Sequence, residues 1–329
     1  MSEAVIIGDA TLHHGDCMEV LAGLETGSVQ CVVTSPPYWG LRDYGVEGQI
    51  GLEEDLEDYL AKILKVFHGV KRVLSEDGTL WLNLGDAYSS AEKNGLPKKQ
   101  LLGLPWWVAF ELQSAGWFLR CDIIWSKPNP MPESVTDRPT RAHEYIFLMS
   151  KSPKYFYNHA AIKEPGVHSS KVPGGWDTDP GAHGTFHRKG RADKQRGHSR
   201  KHAGFNERWD HMTTVEQSAM GRNKRSVWTV ATQPFPEAHF ATFPEKLIEP
   251  CILAGSRPGD VVLDPFAGSG TVGVVCAKNG RRFVGAEINR DYIAMASRRI
   301  KDAQSQQRLA LDEAEQVASK TAPKRELFI

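Results

Sequence analysis

Hydrophobic and polar positions along the chain switch repeatedly between two rhythms. Short runs rich in β-branched residues predict buried strands. They are "VQCVVTS" (29–35), "TLWLNLGD" (79–86), "FLRCDIIWSK" (118–127), "HEYIFLMSK" (143–151), "GDVVLDPF" (259–266) and "RRFVGAEI" (281–288). Val5–Ile7 and "TLHHGD" (11–16) predict two shorter strands. Between the strands lie segments of helical period. The clearest is "EEDLEDYLAKILKVFHGVKRVL", with apolar side chains at Leu56, Leu60, Ile63, Leu64, Phe67, Val70 and Leu74. "CMEVLAGLETGS", "GLPWWVAFELQSAGW", "PEKLIEPCILAG", "GTVGVVCAKNG" and "NRDYIAMASRRIKDAQ" complete the predicted helices. "EDG" (76–78) predicts a turn, and the polar composition from Gln304 onward predicts a fraying tail. Strands alternating with helices predict an α/β fold with a mostly parallel, doubly wound sheet.

Composition narrows this little. The 329 residues are 40% hydrophobic and 24% charged, ordinary for a soluble globular chain. No apolar run reaches the ~20 residues of a membrane span. Met1-Ser-Glu-Ala lacks the basic and apolar regions of a signal peptide, and five scattered cysteines show no C-x-x-C pair. The expectation is a cytoplasmic protein with no structural metal. Charge is more telling. The window from Lys151 to Arg225 carries fifteen Lys and Arg against seven Asp and Glu, a local +8. The chain is neutral, so the remainder carries −8. Seven of the twelve histidines fall in the same window. A basic, glycine- and histidine-rich insert in an acidic protein points to a polyanion. The same composition also suits a solvated loop.

Two stretches carry candidate chemistry. "VVLDPFAGSGTV" (261–272) is a strand, an acid, a glycine turn and a helix start; Glu287 ends the next strand, 23 positions beyond Asp264. Gly268 and Gly270 let backbone approach a ligand, and an acid at the second strand's tip is placed to grip ribose hydroxyls. The spacing is not G-x-G-x-x-G, and no Gly-Lys-Ser/Thr follows. Asp264, directly ahead of the turn, would repel a pyrophosphate and suit a cation. S-adenosylmethionine has the sulfonium, ammonium and ribose that this set fits. The second stretch is "TSPPYWG" (34–40), two rigid prolines and two aromatics at a strand end.

Together, in this order, "TSPPYWG" and "LDPFAGSGT" resemble the catalytic and cofactor motifs of the DNA amino-methyltransferases of the β arrangement. The resemblance covers nearly the whole chain except the insert and tail. It implies a class I S-adenosylmethionine-dependent methyltransferase fold, a mostly parallel seven-stranded sheet with one antiparallel strand, entered at a permuted point. Residues 1–150 would be the catalytic half, 151–235 the target-recognition insert, 236–303 the cofactor half and 304–329 a polar tail. By the same resemblance Asp16, Thr242, Phe243, Asp264, Phe266, Gly268, Gly270, Thr271 and Glu287 would bind cofactor. Thr242 and Phe243 belong to "HFATFP" (239–244), which resembles the stretch bordering the cofactor's methionine end, and Asp16 resembles the residue near its adenine.

Ser35, Pro36, Pro37 and Tyr38 would form the catalytic corner. An exocyclic base amine is a poor nucleophile because its lone pair is delocalised into the ring. Acceptors on both N–H protons, here Ser35 Oγ and the Pro36 carbonyl, favour the geometry of attack. The prolines fix the carbonyl direction. Tyr38, with Trp39 beside it, would stack on a base flipped out of a duplex. The partner implied is double-stranded DNA, with no membrane. A homodimer and a separate restriction endonuclease are both compatible.

In the insert, Arg188, Lys189, Arg191, Arg196, Arg200, Lys201 and Arg208 interleave with Trp176, Phe186, Phe205 and Trp209 and are the candidate DNA contacts. Adenine N6 and cytosine N4 both remain open as targets; in the family a serine at the first motif position leans toward cytosine. Cytosine C5 chemistry would need a Pro-Cys nucleophile. Pro250-Cys251 sits in a helical pattern that puts Cys251 on the buried side. Two other function classes share parts of this pattern: an RNA or protein amide methyltransferase, and a DNA-binding regulator with a vestigial cofactor pocket.

Overall fold

The structure is a computed structural model that describes residues 3–41, 43, 45–89, 92, 96–165, 221–233 and 243–321. The chain divides into two compact units, one comprising Met1–Ala161 with Arg225–Ile329 and the other Ile162–Lys224.

The larger unit is built on one sheet. Its strands are β1 (Glu3–Ile7), β2 (Ala10–His14), β3 (Val29–Thr34), β4 (Leu74–Leu84), β5 (Phe118–Ser126), β6 (His143–Ser150), β7 (Val227–Thr229), β8 (Val261–Asp264) and β9 (Arg282–Glu287). The spatial order is β1-β2-β9-β8-β3-β4-β6-β5-β7. Seven strands run parallel. β6 opposes both neighbours, and β1 opposes β2. The seven central strands, β2 to β5 in that order, are the expected sheet with one antiparallel member. β1 and β7 extend it at the two edges. β7 joins through Ile124↔Val227, Trp125↔Trp228 and Ser126↔Thr229.

Helices α1 (Cys17–Gly23), α2 (Leu56–Val73) and α3 (Leu104–Ser114) cover one face of this sheet. Helices α4 (Glu245–Gly255), α5 (Thr271–Lys278) and α6 (Arg290–Thr321) cover the other. The parallel strands β3 and β4 bury Val32, Leu80 and Leu82 against α2, whose buried stripe is Tyr59, Ile63, Val66, Phe67, Val70 and Val73. Leu56, Leu60 and Leu64 are only half-buried. The stripe is thus shifted in part from the predicted one: Ile63, Phe67 and Val70 are buried as expected, while Tyr59, Val66 and Val73 are buried in place of Leu56, Leu60 and Leu64.

Three more elements depart from expectation. β4 starts at Leu74 and continues through "EDG" as an irregularity: Val29 pairs with Leu74, and Cys31 then pairs with Thr79. Helix α6 continues past Gln304 to Thr321. That extension is rich in Ala, Leu, Glu, Gln and Lys, and helix propensity outweighs its polarity. The smaller unit also takes less of the chain than the expected insert 151–235, and residues 227–229 of that stretch pair with β5 in the sheet as β7. Its two ends meet at Glu164 and Arg222, which exchange backbone hydrogen bonds of 2.9 and 2.8 Å and form an ion pair of 3.2 Å. The seven candidate DNA contacts, from Arg188 to Arg208, lie outside the described residues, as does Thr242.

Candidate active site

β8 and β3 are neighbours whose crossovers leave in opposite directions, β8 through α5 to β9 and β3 through α2 to β4. Such a switch point opens a crevice beyond the carboxyl ends of the strands. A cavity lies there. Its wall includes Gly15, Asp16, Cys17, Ser35, Pro37, Phe266, Gly268 and Glu287. The two motifs, more than 220 residues apart in sequence, therefore share one space.

Backbone geometry shapes the cofactor side. Gly268 has φ +50°, and a Cβ built there would meet nothing nearer than 3.9 Å, so that volume stays open for a ligand. Gly270 has φ +76°, and a Cβ there would come within 2.7 Å of Ala296 Cβ. Its absence lets α6 close onto the turn. Thr271 is buried, and its hydroxyl, with Ser269, accepts from the Arg299 guanidinium at 3.3 and 2.8 Å.

Glu287 accepts the Gly268 N–H on one carboxylate oxygen and the Asn289 N–H on the other, both at 2.8 Å. Burial raises its pKa despite those donors. Asp16 caps α1, accepting the Met18 N–H at 2.7 Å. Among the described residues of the cavity wall, Asp16 and Glu287 are the charged ones, both acidic. A wall of this sign rejects phosphates and fits a cationic nucleoside, which is the chemistry of S-adenosylmethionine.

The structure places Asp264 beneath the cavity rather than in its wall. It is 1% exposed, and one of its oxygens accepts both the Thr34 hydroxyl at 2.6 Å and the Phe266 N–H at 3.0 Å. Burial pushes its carboxyl up to about 7, against the pull of those two donors. The Thr34 bond ties the end of the catalytic strand to the end of the cofactor strand. Phe243 precedes Pro244 at the start of α4 and is not part of the cavity wall. Cys17 is in the wall, but burial raises its thiol to about 12, which leaves it unreactive. Cys251 is fully buried within α4, as its spacing predicts.

On the catalytic side the Pro37 carbonyl accepts from the Tyr59 hydroxyl at 2.9 Å, which anchors the proline pair to α2. Trp39 donates its ring N–H to the Glu53 carbonyl at 2.9 Å, and Gly40 N–H bonds Gly51 O at 2.8 Å. The segment after the motif is thereby folded back, bringing Gly48, Gln49 and Ile50 to the cavity wall. Tyr38 is half-buried, with its hydroxyl turned inward. It accepts from Ser35 Oγ at 3.2 Å and donates to Glu144 Oε2 at 3.0 Å. Gly85, at the end of β4, makes room for its ring; a Cβ there would lie 2.8 Å from Tyr38 Cε2.

Glu144 also accepts from Asn83 Nδ2 at 3.2 Å and from the Lys127 ammonium. Sequence reasoning missed Glu144, Asn83, Lys127 and Tyr59. A signal was present: Asn83 interrupts the apolar run Leu80–Leu84 and Glu144 stands at the head of the apolar strand β6, and polar groups taken out of water there are kept only when partnered.

A permuted sheet of this order, with an acidic nucleoside cavity at its switch point, defines a class I methyltransferase. Residues 29–298 match the DNA methylase family whose members modify the N6 or N4 amine. The chain belongs to that N6/N4 DNA methylase family. It is 44% identical to the Type II methyltransferase M.Cfr9I of Citrobacter freundii over 91% of this chain and 90% of that one. It is likewise 44% identical to M.SmaI of Serratia marcescens, covering 87% and 89%. TTHA0409 of Thermus thermophilus, solved with S-adenosyl-L-methionine, superposes with a TM-score of 0.55 at 27% identity, covering 89% and 95%. The cytosine-N4-specific PvuII DNA methyltransferase gives 0.59 at 20% identity, covering 91% and 92%, a likeness of fold. The family uses S-adenosylmethionine as its methyl donor. Among the described residues no helix is long and apolar enough to cross a membrane, and no cluster could hold a metal ion.

Proposed function

We propose that this DNA methyltransferase modifies the N4 amine of cytosine, with Ser35 and the Pro36 carbonyl accepting the two amine protons and Tyr38 stacking on the flipped base. The observation that carries the site assignment is the shared cavity: Ser35 and Pro37 face the same space as Asp16, Gly268 and Glu287. Support for cytosine is Ser35 itself, the residue type that leans to that base at the first motif position.

When bound, S-adenosylmethionine supplies an electrophilic methyl group and leaves as a neutral thioether. The chain's residues do the rest. Glu287 and Asp16 accept from the nucleoside, and the open volume at Gly268 admits it. Asp264 holds Thr34 and Phe266 together, so the acceptor corner and the cofactor turn keep a fixed separation. Acceptors that sharpen as positive charge develops on the amine favour the transition state over the ground state. The Type II relatives support a place in restriction and modification, with cleavage carried by a separate chain.

The test is digestion to nucleosides of DNA from a host expressing the chain, followed by mass spectrometry. N4-methylcytosine is the expected product. N6-methyladenine in its place would overturn the assignment of the base.

A further inference from the structure

We infer that Glu144 is the terminal proton acceptor of the reaction, reached from the target amine through the hydroxyls of Ser35 and Tyr38. This rests on the site assignment proposed above.

The geometry fixes the direction of the chain of hydrogen bonds. Glu144 is the second residue of the antiparallel strand β6, so its side chain reaches the edge where the parallel strands β3, β4 and β5 end. Three groups face it there. They are Lys127 just after β5, Asn83 on β4 and Tyr38 after β3. On its own strand, His143 and Tyr145 flank it. Lys127, itself over the Trp125 ring at 4.3 Å, forms an ion pair with one carboxylate oxygen.

An ionised carboxylate only accepts, so the Tyr38 hydroxyl must donate to it. Tyr38's remaining lone pairs then take the Ser35 proton at 3.2 Å. The Ser35 hydrogen is thus turned away from the cavity, and its lone pairs are left to accept an amine N–H. Burial and the Glu144 charge raise the Tyr38 hydroxyl well above its ordinary pKa, so it stays protonated and can pass a proton on.

Once the N–C bond has formed, the nitrogen carries a positive charge and must lose one proton. The N–H bond breaks and its electron pair returns to nitrogen. That proton passes to Ser35 Oγ as Ser35 gives its own to Tyr38, and Tyr38 gives its own to Glu144. One neutral methylated amine and one neutral carboxylic acid result. Glu144 is 17% exposed at its side chain, enough to return the proton to water.

The experiment compares Glu144→Gln and Tyr38→Phe with the parent on a duplex carrying the site mapped from the parent's own methylation. Gln keeps the shape and an acceptor for Tyr38 but cannot take a proton at neutral pH. Phe keeps the ring but cuts the chain. Loss of a general base is worth about 10²–10⁴-fold, so kcat should fall about 100-fold in each variant. KM for DNA, cofactor affinity by calorimetry and the fluorescence of pyrrolocytosine at the target position should all stay near the parent's values. Formate added to Glu144→Ala should restore part of the lost rate.

A kcat within about threefold of the parent in Glu144→Gln would overturn the inference. So would loss of the flipping signal in either variant, since that would make the pair structural. A parent that leaves its DNA unmethylated would instead refute the underlying site assignment.

Discussion

Asp264 joins two motifs at a cost to the fold. Its carboxyl sits at about 7 in the folded chain against 3.8 for the free side chain, so the folded state holds a proton that the unfolded state has lost. Stability therefore falls as pH rises from about 4 toward 7, and is flat above that. Asp264→Asn keeps an oxygen for Thr34 and Phe266 while removing the buried charge. It should stabilise the cofactor-free protein at pH 8 by about 1–3 kcal/mol and change little at pH 4. Thermal melts at the two pH values check this, and an unchanged or lower Tm at pH 8 would contradict it. A bound sulfonium and ammonium favour the ionised carboxylate, so cofactor affinity should rise as pH climbs through 7. The Asn variant should show a weaker and flatter profile. Sequence alone identified this aspartate but set it in direct contact with the ligand. Its burial beneath the turn follows from the β3–β8 pairing, which no local pattern encodes.

Gly268 and Gly270 are two residues apart, both with positive φ, and the elements around them give them opposite duties. At Gly270 a methyl group would strike Ala296 on α6 at 2.7 Å, so Gly270→Ala must push the helix off the turn. The expected loss is about 1–3 kcal/mol of stability. At Gly268 the methyl would point into open space, so Gly268→Ala should cost only about 1 kcal/mol of backbone strain. It should weaken S-adenosylmethionine binding far more than Gly270→Ala does per degree of Tm lost. Melts paired with titration calorimetry separate the two, and equal ratios would refute the division. The elements themselves were largely legible. Strands with β-branched runs and helices with 3.6-residue spacing read correctly because their burial is set locally. Three features were not legible. The shifted part of the α2 stripe depends on packing against the sheet, and β7 is a three-residue strand stabilised by an edge far away in sequence. The convergence of Asn83, Lys127 and Glu144 exists only because β6 runs against its neighbours.

Charge divides the chain as its contacts do. The basic window contains the smaller unit, while the described residues of the cavity wall all belong to the larger one. Substitutions in the insert should then act on DNA and leave the cofactor untouched. Each phosphate neutralised contributes about 0.9 to the slope of log affinity against log salt. If Arg188, Lys189, Arg191, Arg196, Arg200, Lys201 and Arg208 all contact the backbone, replacing them with serine lowers that slope by up to about 6. Those that read base edges instead contribute sequence preference and a smaller share of the slope, so the shortfall from about 6 counts them. The measurement is duplex affinity across a salt series for the parent and the seven-fold variant, on specific and unrelated DNA. S-adenosylmethionine affinity should be equal in both proteins. An unchanged slope would place the DNA-binding charge elsewhere, and a parallel loss of cofactor affinity would show that the insert supports the cavity rather than the substrate.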